Sequence, residues 1–191
     1  IEIVEAALAE GVHLTRDELG DRLADEGLDL RGQGLGVVLG WAELTGVVCS
    51  GRRRGRHHTY ALLRERAPHA RRLDRDEALA ELALRYMAGH GPATERDLAY
   101  GASLTLTDAR AGLRAASDQL AWFELDGRTY WHAGEAPAPG PVDPAGHLLQ
   151  ILDELYRGYQ DSRHVLDADR LLPPGREAAL GMAVVDGQFV A

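Results

Sequence analysis

The chain has 191 residues, of which 45% are hydrophobic, so a folded core is expected and disorder throughout is excluded. No apolar run approaches the ~20 residues of a membrane span and no signal peptide is recognisable, so no membrane association is expected. The single cysteine, Cys49, excludes an internal disulfide and fits a reducing cytoplasm. The formal net charge of −9 argues at first against a nucleic-acid partner.

The first 44 residues predict three helices. Apolar residues recur at helical spacing over residues 1–10 and again over 31–44. Between these two segments, Thr15 and Glu18 form a capping box that starts the second helix. A β-hairpin is predicted directly afterwards, and three helices followed by a hairpin are typical of a winged helix, here over residues 1–66.

The predicted hairpin, residues 47–62, carries the strongest functional signal. Glycines 51 and 55 enclose most of an arginine run and are expected to supply the positive φ angles that a hairpin tip needs. The candidate DNA-binding residues are Arg52, Arg53, Arg54, Arg56, His57 and His58. Folding requires no such cluster because guanidinium groups repel one another, whereas each phosphate neutralised on DNA releases counterions. The alternative is a solvated surface turn.

The basic residues are concentrated in one stretch of the chain. Residues 52–72 contain eight arginines and one acidic residue, Glu65, which gives this segment a charge of +7 and leaves −16 on the remainder. An acidic body with one basic edge can still dock on a duplex, since the local potential decides the orientation of docking. The negative net charge therefore does not exclude DNA.

The same order of elements is predicted a second time over residues 74–133. A long helix, a helix capped at Thr94, a helix capped at Thr107 and a hairpin around Asp126-Gly127 follow one another. This repetition indicates an internal duplication. The tip of the second hairpin carries only Arg128 beside an aspartate, so it is the weaker candidate for DNA binding.

The last third of the chain is predicted to be organised differently. A proline-rich linker is expected over residues 134–146, and a small α+β unit over 147–191 that lacks a final strand. The chain opens inside an apolar helix and closes just after a predicted turn, which suggests a piece of a longer protein. The expected fold class is α+β and mostly helical, with tandem winged-helix modules followed by this unit.

Three segments resemble a known family. They are GVVCSGRRRGRHHTYALLRERAP (46–68), RYMAGHGPATERDLAYGASLTLTDARAGL (85–113) and HLLQILDELYRGYQDSRHVLD (147–167). They are similar to the bacterial winged-helix DNA-binding family that includes the AlkZ-type DNA glycosylases, which excise alkylated bases and unhook interstrand crosslinks. The resemblance implies tandem winged helices around a concave, basic DNA channel. The chain departs from the family pattern at Tyr100-Gly101, where relatives commonly have two tryptophans, and at Asp153-Glu154, which lacks the usual aromatic neighbours.

The resemblance also implies a catalytic motif, a Gln-x-Gln or Gln-x-Asp pair that positions water against the glycosidic bond. None of the five glutamines of this chain has glutamine or aspartate two residues later: Gln33, Gln119, Gln150, Gln160 and Gln188. No catalytic residue is therefore assigned. In the family this motif lies in a region that would precede residue 1.

No cofactor or metal site is predicted. His57 and His58 are neighbours on a predicted strand, so they point to opposite faces and cannot both bind one ion. The three tryptophans are expected to pack in a core or between modules: Trp41, Trp122 and Trp131.

The expected function is binding of double-stranded DNA through the basic wing, by a monomer in the bacterial cytoplasm at the nucleoid, as part of a DNA-repair protein that resembles monofunctional alkylpurine glycosylases. Two alternatives stay open. One is a transcription regulator whose third helix, residues 31–44, reads bases, although Arg31, Gln33 and Glu43 make that face poor in readout residues. The other is an acidic module that binds proteins.

Overall fold

The computed structural model describes residues 1–135, 145–151, 153–171 and 181–190. The chain divides into two compact units, Ile1–Arg72 and Leu73–Ala191. Helices and antiparallel sheets occur in both, and helix predominates, which agrees with the α+β class predicted from the sequence. Within the described ranges, no helix combines the length and the apolar character needed to cross a bilayer.

The first unit contains three main helices and a small sheet. Its elements are α1 (Glu2–Ala7), β1 (Leu14–Thr15), α2 (Arg16–Asp25), α3 (Gly32–Leu44), β2 (Val48–Ser50), β3 (Thr59–Leu62) and α4 (Leu63–Arg66). The strands are antiparallel in the order β1-β3-β2. Helix α1 ends before the predicted residue 10 because Glu10 and Gly11 take positive φ angles of 62° and 76° and turn the chain.

The core of the first unit lies between the helices and the sheet. Periodic apolar side chains from α1, α2 and α3 meet one inward residue from each of β2 and β3. The buried set is Val4, Leu8, Leu19, Leu23, Leu35, Leu39, Ala42, Val48 and Leu62. Burial of these apolar side chains holds the hairpin base in place.

The second unit begins with the same order of elements. They are α5 (Arg75–His90), α6 (Glu95–Gly101), α7 (Leu106–Ala115), a 3-10 turn (Ser117–Gln119), β4 (Leu120–Leu125) and β5 (Arg128–Ala133). The segments that follow are β6 (Gly146–Leu149), α8 (Glu154–Arg157), α9 (Arg163–Leu166), β7 (Met182–Val185) and β8 (Gln188–Phe189). Strands β4 and β5 pair as a hairpin, and β6-β7-β8 form a second antiparallel sheet.

Helix caps account for several of the boundaries. The predicted capping boxes at Thr15 and Thr94 are confirmed, each with the hydroxyl accepting from the third residue's amide and that residue's carboxylate reaching back. The predicted cap at Thr107 is wrong. Helix α7 starts two residues earlier, and the amide of Asp108 donates to the hydroxyl of Thr105 at 3.1 Å.

A short antiparallel contact precedes the second helix in both units. In the first unit Leu14 pairs with Tyr60, and in the second Ala93 forms a single bridge with Trp131. Each contact lies directly before the threonine that caps the next helix. The order of elements thus repeats, as the sequence suggested, while the assignment of the two modules to the winged-helix class stays a prediction.

The C-terminal segment belongs to the second compact unit in this division. Its predicted hairpin around Asp186 and Gly187 is present as β7 and β8, with φ angles of 49° and 77° at the turn. Most of the predicted linker, residues 136–144, lies outside the described residues. The three-part domain division proposed from the sequence stays a prediction.

Candidate nucleic-acid interface

The arginine run forms the tip of the β2–β3 hairpin. Arg54 and His57 exchange two backbone hydrogen bonds, both 3.1 Å, and enclose the two-residue turn Gly55-Arg56. Gly55 has a φ of +61°, which the first central position of a type II′ turn requires. Residues 52–58 are all exposed. The predicted projecting cationic tip is therefore present.

The base of the tip is held by side chains rather than by strand pairing alone. The hydroxyl of Thr59 donates to the carbonyl oxygen of Arg52 at 2.6 Å, and the amide of Gly51 donates to the carbonyl oxygen of Thr59 at 2.7 Å. From outside the hairpin, Nδ1 of His13 accepts from the amide of Arg52 at 2.8 Å. Nδ1 must carry no proton to accept this bond, which fixes the ring's tautomer.

Gly51 is required by close packing. An added Cβ would lie 2.5 Å from Oγ1 of Thr59 and 2.7 Å from Nδ1 of His13. Both atoms belong to the hydrogen bonds that hold the hairpin base. The positive φ predicted at Gly51 is wrong, since only Gly55 of the two glycines takes one; Gly51 is needed instead because its lack of a side chain admits these two partners.

Arg54 is engaged by an acidic residue of helix α2. Its guanidinium donates to both carboxylate oxygens of Glu18, at 2.9 and 2.6 Å, and to the carbonyl oxygen of His13 at 3.2 Å. Glu18 is also the capping-box residue that pairs with Thr15. Hydrogen bonds from Arg54 and then Thr15 lower the pKa of Glu18 to about 2.

The other three arginines of the tip have no acidic partner among the residues that the structure describes. A guanidinium nitrogen of Arg53 lies 3.4 Å from Nε2 of His58. Arg52, Arg56 and His57 present their side chains to solvent. The described part of the chain contains no group of three histidine, cysteine, aspartate or glutamate side chains arranged for a metal ion.

The outer face of helix α3 is apolar. Val37, Trp41 and Leu44 lie one turn apart and are 67%, 60% and 86% exposed. Arg31, just before the helix, is paired with Asp21 and Asp29 at 3.1 Å each. With Gln33 as its exposed amide side chain, this face is poor in groups that read base edges, which weighs against the regulator alternative. Trp41 does not lie in the core of its unit, contrary to one of the two placements expected for it.

The second hairpin has a different tip. Asp126 and Gly127 take φ angles of 51° and 73°, the pattern of a type I′ turn, as the Asp-Gly pair predicted. Arg128 lies 3.4 Å from the carboxylate of Asp161 in the same unit. Its one cation is therefore partly neutralised within the chain.

Asp97 is a buried carboxylate that connects two parts of the second unit. Its Oδ1 accepts from the amides of Gln160, Asp161 and Ser162 at 2.7, 2.6 and 3.0 Å. Its Oδ2 accepts from Thr94 and from the hydroxyl of Ser162. Burial raises the pKa of Asp97, but these hydrogen bonds outweigh burial and the pKa lies below its ordinary value. The sequence predicted the cap at Thr94 but gave no signal for the bonds to residues 160–162.

Asp153 and Glu154, where the sequence departs from the family pattern, both have partners within the second unit. Asp153 caps helix α8 by accepting from the amide of Leu155 at 3.0 Å. Glu154 lies 2.8 Å from Nε2 of His90.

Comparison with known proteins gives the chain a family context. A family model described as DNA glycosylase AlkZ-like matches residues 1–191. The fold is similar to that of Streptomyces sahachiroi DNA glycosylase AlkZ, with a TM-score of 0.71 and 26% sequence identity, over 99% of this chain and 55% of that one. The chain thus spans about half the length of this structural relative. A search of curated proteins found no match.

Proposed function

Because the chain belongs to the AlkZ-like DNA glycosylase family, we propose that its first hairpin binds the phosphate backbone of double-stranded DNA as part of a DNA-repair protein. The observation that carries the proposal is the exposed tip, on which Arg52, Arg53 and Arg56 lack acidic partners among the described residues. A duplex would supply the anions that the unit itself does not.

The distribution of charge supports contact at this tip. The rest of the chain is acidic and would repel a polyanion, while residues 52–72 carry a charge of +7. A duplex that approaches the protein is therefore steered to one edge. Arginine suits this role because its planar guanidinium can bind two phosphate oxygens at once.

The six residues of the proposed interface contribute unequally. Arg52, Arg53 and Arg56 are free to bind phosphate, and His57 and His58 follow on the same exposed segment, within reach of phosphate or sugar. Arg54 has to exchange the carboxylate of Glu18 for a phosphate. We therefore expect Arg54 to contribute less to binding than its neighbours.

The proposed binding mode does not depend on base sequence. Phosphate contacts position a protein on DNA without reading it, which suits an enzyme that searches for damaged bases. We further propose that residues 1–66 and 74–133 are winged helices and that helix α3 supports the wing, since its largely apolar outer face is poor in groups that read base edges. A monomer acting at the bacterial nucleoid is part of this proposal.

In this proposal the chain contributes binding of the duplex, and cleavage of the N-glycosidic bond is not assigned to its residues. Its sequence has no glutamine followed two residues later by glutamine or aspartate. Hydrolysis of the N-glycosidic bond of an alkylated purine is proposed only for a protein in which this chain is joined to a segment that carries such a pair. A cationic alkylated base is a good leaving group, so binding and a positioned water can suffice.

The test is the salt dependence of binding to a random-sequence duplex. Arg52→Ala, Arg53→Ala and Arg56→Ala are combined, and fluorescence anisotropy gives Kd over a range of salt concentrations. Each lost phosphate contact is expected to lower the slope of log K against log salt by about 0.9. Affinity should fall at every sequence tested.

A matched variant controls for net charge. Arg22→Ala, Arg96→Ala and Arg114→Ala remove the same charge from exposed positions outside the tip, and the slope should stay that of the parent chain. If both triple variants lose affinity equally, or if the tip variant keeps the parental slope, the hairpin is not the DNA-binding element.

A further inference from the structure

The second unit contains a cavity that DNA binding does not use. Its volume is about 290 Å³, close to the lower end of the range of ~300–1,000 Å³ that small-molecule sites occupy. The walls are mainly rings and branched apolar side chains: Pro92, Phe123, Tyr130, Tyr159, Val165 and Leu166.

The aromatic walls have a defined geometry. Phe123 and Tyr130 oppose each other in the β4–β5 register, and their rings stack with centroids 5.4 Å apart and planes within 13°. On the other side, Tyr159 meets the ring of His90 edge to face at 5.6 Å. Such ring faces and edges favour a flat aromatic guest, because aromatic pairs gain from stacked and edge-to-face contacts.

Part of the apolar rim is open to water. Phe123 is 40% exposed and Val165 is 52% exposed, and both line the cavity mouth. A rim of large apolar side chains around a concave surface is typical of a binding site. A guest would cover this surface.

Two hydroxyls of the wall are paired within the chain, while Nδ1 of His90 is buried without a hydrogen-bond partner among the described residues. The hydroxyl of Ser162 donates to Asp97, and the hydroxyl of Tyr159 donates to the carbonyl oxygen of His90 at 3.0 Å. The carboxylates nearest the wall are Asp97, behind Ser162, and Glu154, on His90. Among the residues that the structure describes, no arginine lines the cavity. An anion would meet these carboxylates with no described arginine to balance its charge, and a cation would lose its water with one imidazole nitrogen as the unpaired side-chain atom of the described wall.

We propose that this cavity binds a compact, uncharged aromatic molecule of one or two fused rings. The size of the cavity, its ring-lined walls and the pairing of its Ser162 and Tyr159 hydroxyls within the chain together define this class. The proposal does not depend on the proposed DNA binding, because it rests on the second unit alone.

The experiment uses indole as the probe and amide chemical-shift perturbation of the 191-residue chain as the readout. Saturable shifts are expected at the amides of residues 120–131 and 155–166, with a Kd on the order of 1 mM or below for a probe of this size. Indole-3-carboxylate, which adds one negative charge to the same rings, is expected to bind at least tenfold more weakly.

Two valine variants test the location. Val165→Trp fills the cavity mouth and should weaken indole binding at least tenfold, whereas Val185→Trp makes the same change at an exposed position of β7 outside the cavity and should leave Kd within twofold. Phe123→Leu removes a ring while keeping an apolar side chain, and should weaken binding several-fold even if Val165→Trp fails to fold.

Several results would overturn the proposal. They are non-saturating or scattered shifts, equal binding of indole-3-carboxylate, or unchanged binding by both cavity variants. Shifts at the same amides that depend on protein concentration without indole would show instead that a second copy of the chain covers the cavity.

Discussion

The two hairpins occupy equivalent places in the order of elements but differ in what surrounds their tips. The first tip carries four arginines, and only Arg54 has an acidic partner among the described residues. The second carries Arg128 alone, which lies beside Asp161. The number of arginines differs within the hairpins, whereas their acidic partners come from outside them: Glu18 belongs to helix α2 and Asp161 to the segment that follows β6.

The same order of elements therefore supports two hairpin tips that differ in charge and in how they are held. In the first unit, His13 and Glu18 hold the base of the hairpin while most of its charge stays free for a partner. In the second, the amide of Asp161 is bound to buried Asp97, and its carboxylate holds Arg128. The second hairpin is therefore tied into its own unit.

The largest expected effect tests how firmly the second unit is held together. Asp97→Asn replaces a buried carboxylate that accepts hydrogen bonds on both oxygens, and should lower the free energy of unfolding by about 3 kcal/mol in urea titrations at pH 7. Asp118→Asn, at an exposed position of the 3-10 turn, should have little effect. Equal stability of the two variants would contradict the role given to Asp97.

The same residue gives a pH dependence with a defined sign. Because the pKa of Asp97 is lower in the folded chain than its ordinary value of 3.8, its contribution is fully present above that value. It is lost as the pH falls through the lower folded value. The stability difference between the parent chain and Asp97→Asn should therefore shrink on acidification, as urea titrations at successive pH values would show.

A smaller effect is expected at the base of the first hairpin. Gly51→Ala places a methyl group 2.5 Å from the Thr59 hydroxyl, and should destabilise the chain by about 1–3 kcal/mol, measured by thermal unfolding. Gly40→Ala in helix α3 is the control, because no heavy atom lies within 4 Å of its added Cβ. That change should stabilise the helix by up to about 1 kcal/mol. The reverse order of the two variants would show that the base is looser than described.

DNA binding separates the two hairpins directly. Arg53→Ala should lower the salt slope by about 0.9, while Arg128→Ala, whose guanidinium faces Asp161, should leave it unchanged. Arg54→Ala should fall between them, because Glu18 competes with phosphate. A loss of slope for Arg128→Ala as large as that for Arg53→Ala would erase the distinction between the tips.

The finest test concerns the pair between Arg54 and Glu18. Because the pKa of Glu18 lies near 2, its carboxylate should stay ionised well below the ordinary value of 4.5 when followed by carbon NMR. Arg54→Ala should move this titration toward 4.5, whereas Arg53→Ala should not. By linkage, the stability from this pair is present above pH 4.5 and is lost between about 4.5 and 2. If Arg54→Ala left the titration of Glu18 unchanged, the pair between Arg54 and Glu18 would not form in solution.

Local features were predictable from the sequence, and long-range ones were not. The capping boxes at Thr15 and Thr94 and the turn at Asp126-Gly127 each depend on residues within a few positions of one another. The sequence therefore shows the interacting residues directly. Thr105 and Thr107 lie two residues apart and either could cap a helix, so the predicted start of α7 was two residues too late. The candidate DNA-binding residues were visible as a charge cluster.

The partners of that cluster were not visible. His13 reaches the hairpin across 39 positions and Asp97 reaches Ser162 across 65, and neither has a sequence signature. Apolar spacing predicted the inner face of helix α3. Whether Trp41 is buried or exposed depends on tertiary contacts, which the spacing does not show. Local patterns predict elements, while their contacts depend on the tertiary fold.

The hydrogen bonds of Asp97 bear on how this protein can be shortened. The composition of the proline-rich stretch is that of a linker between separate domains, which makes it an obvious place to shorten the chain. A chain that stops at residue 135, however, would lack all three amides that donate to Oδ1 of Asp97. Oδ1 of this buried carboxylate would then lose the hydrogen bonds that compensate for its burial. Truncation in the proline-rich stretch would thus destabilise the part of the second unit that remains. A safer truncation site lies near residue 73, where the chain passes between its two compact units.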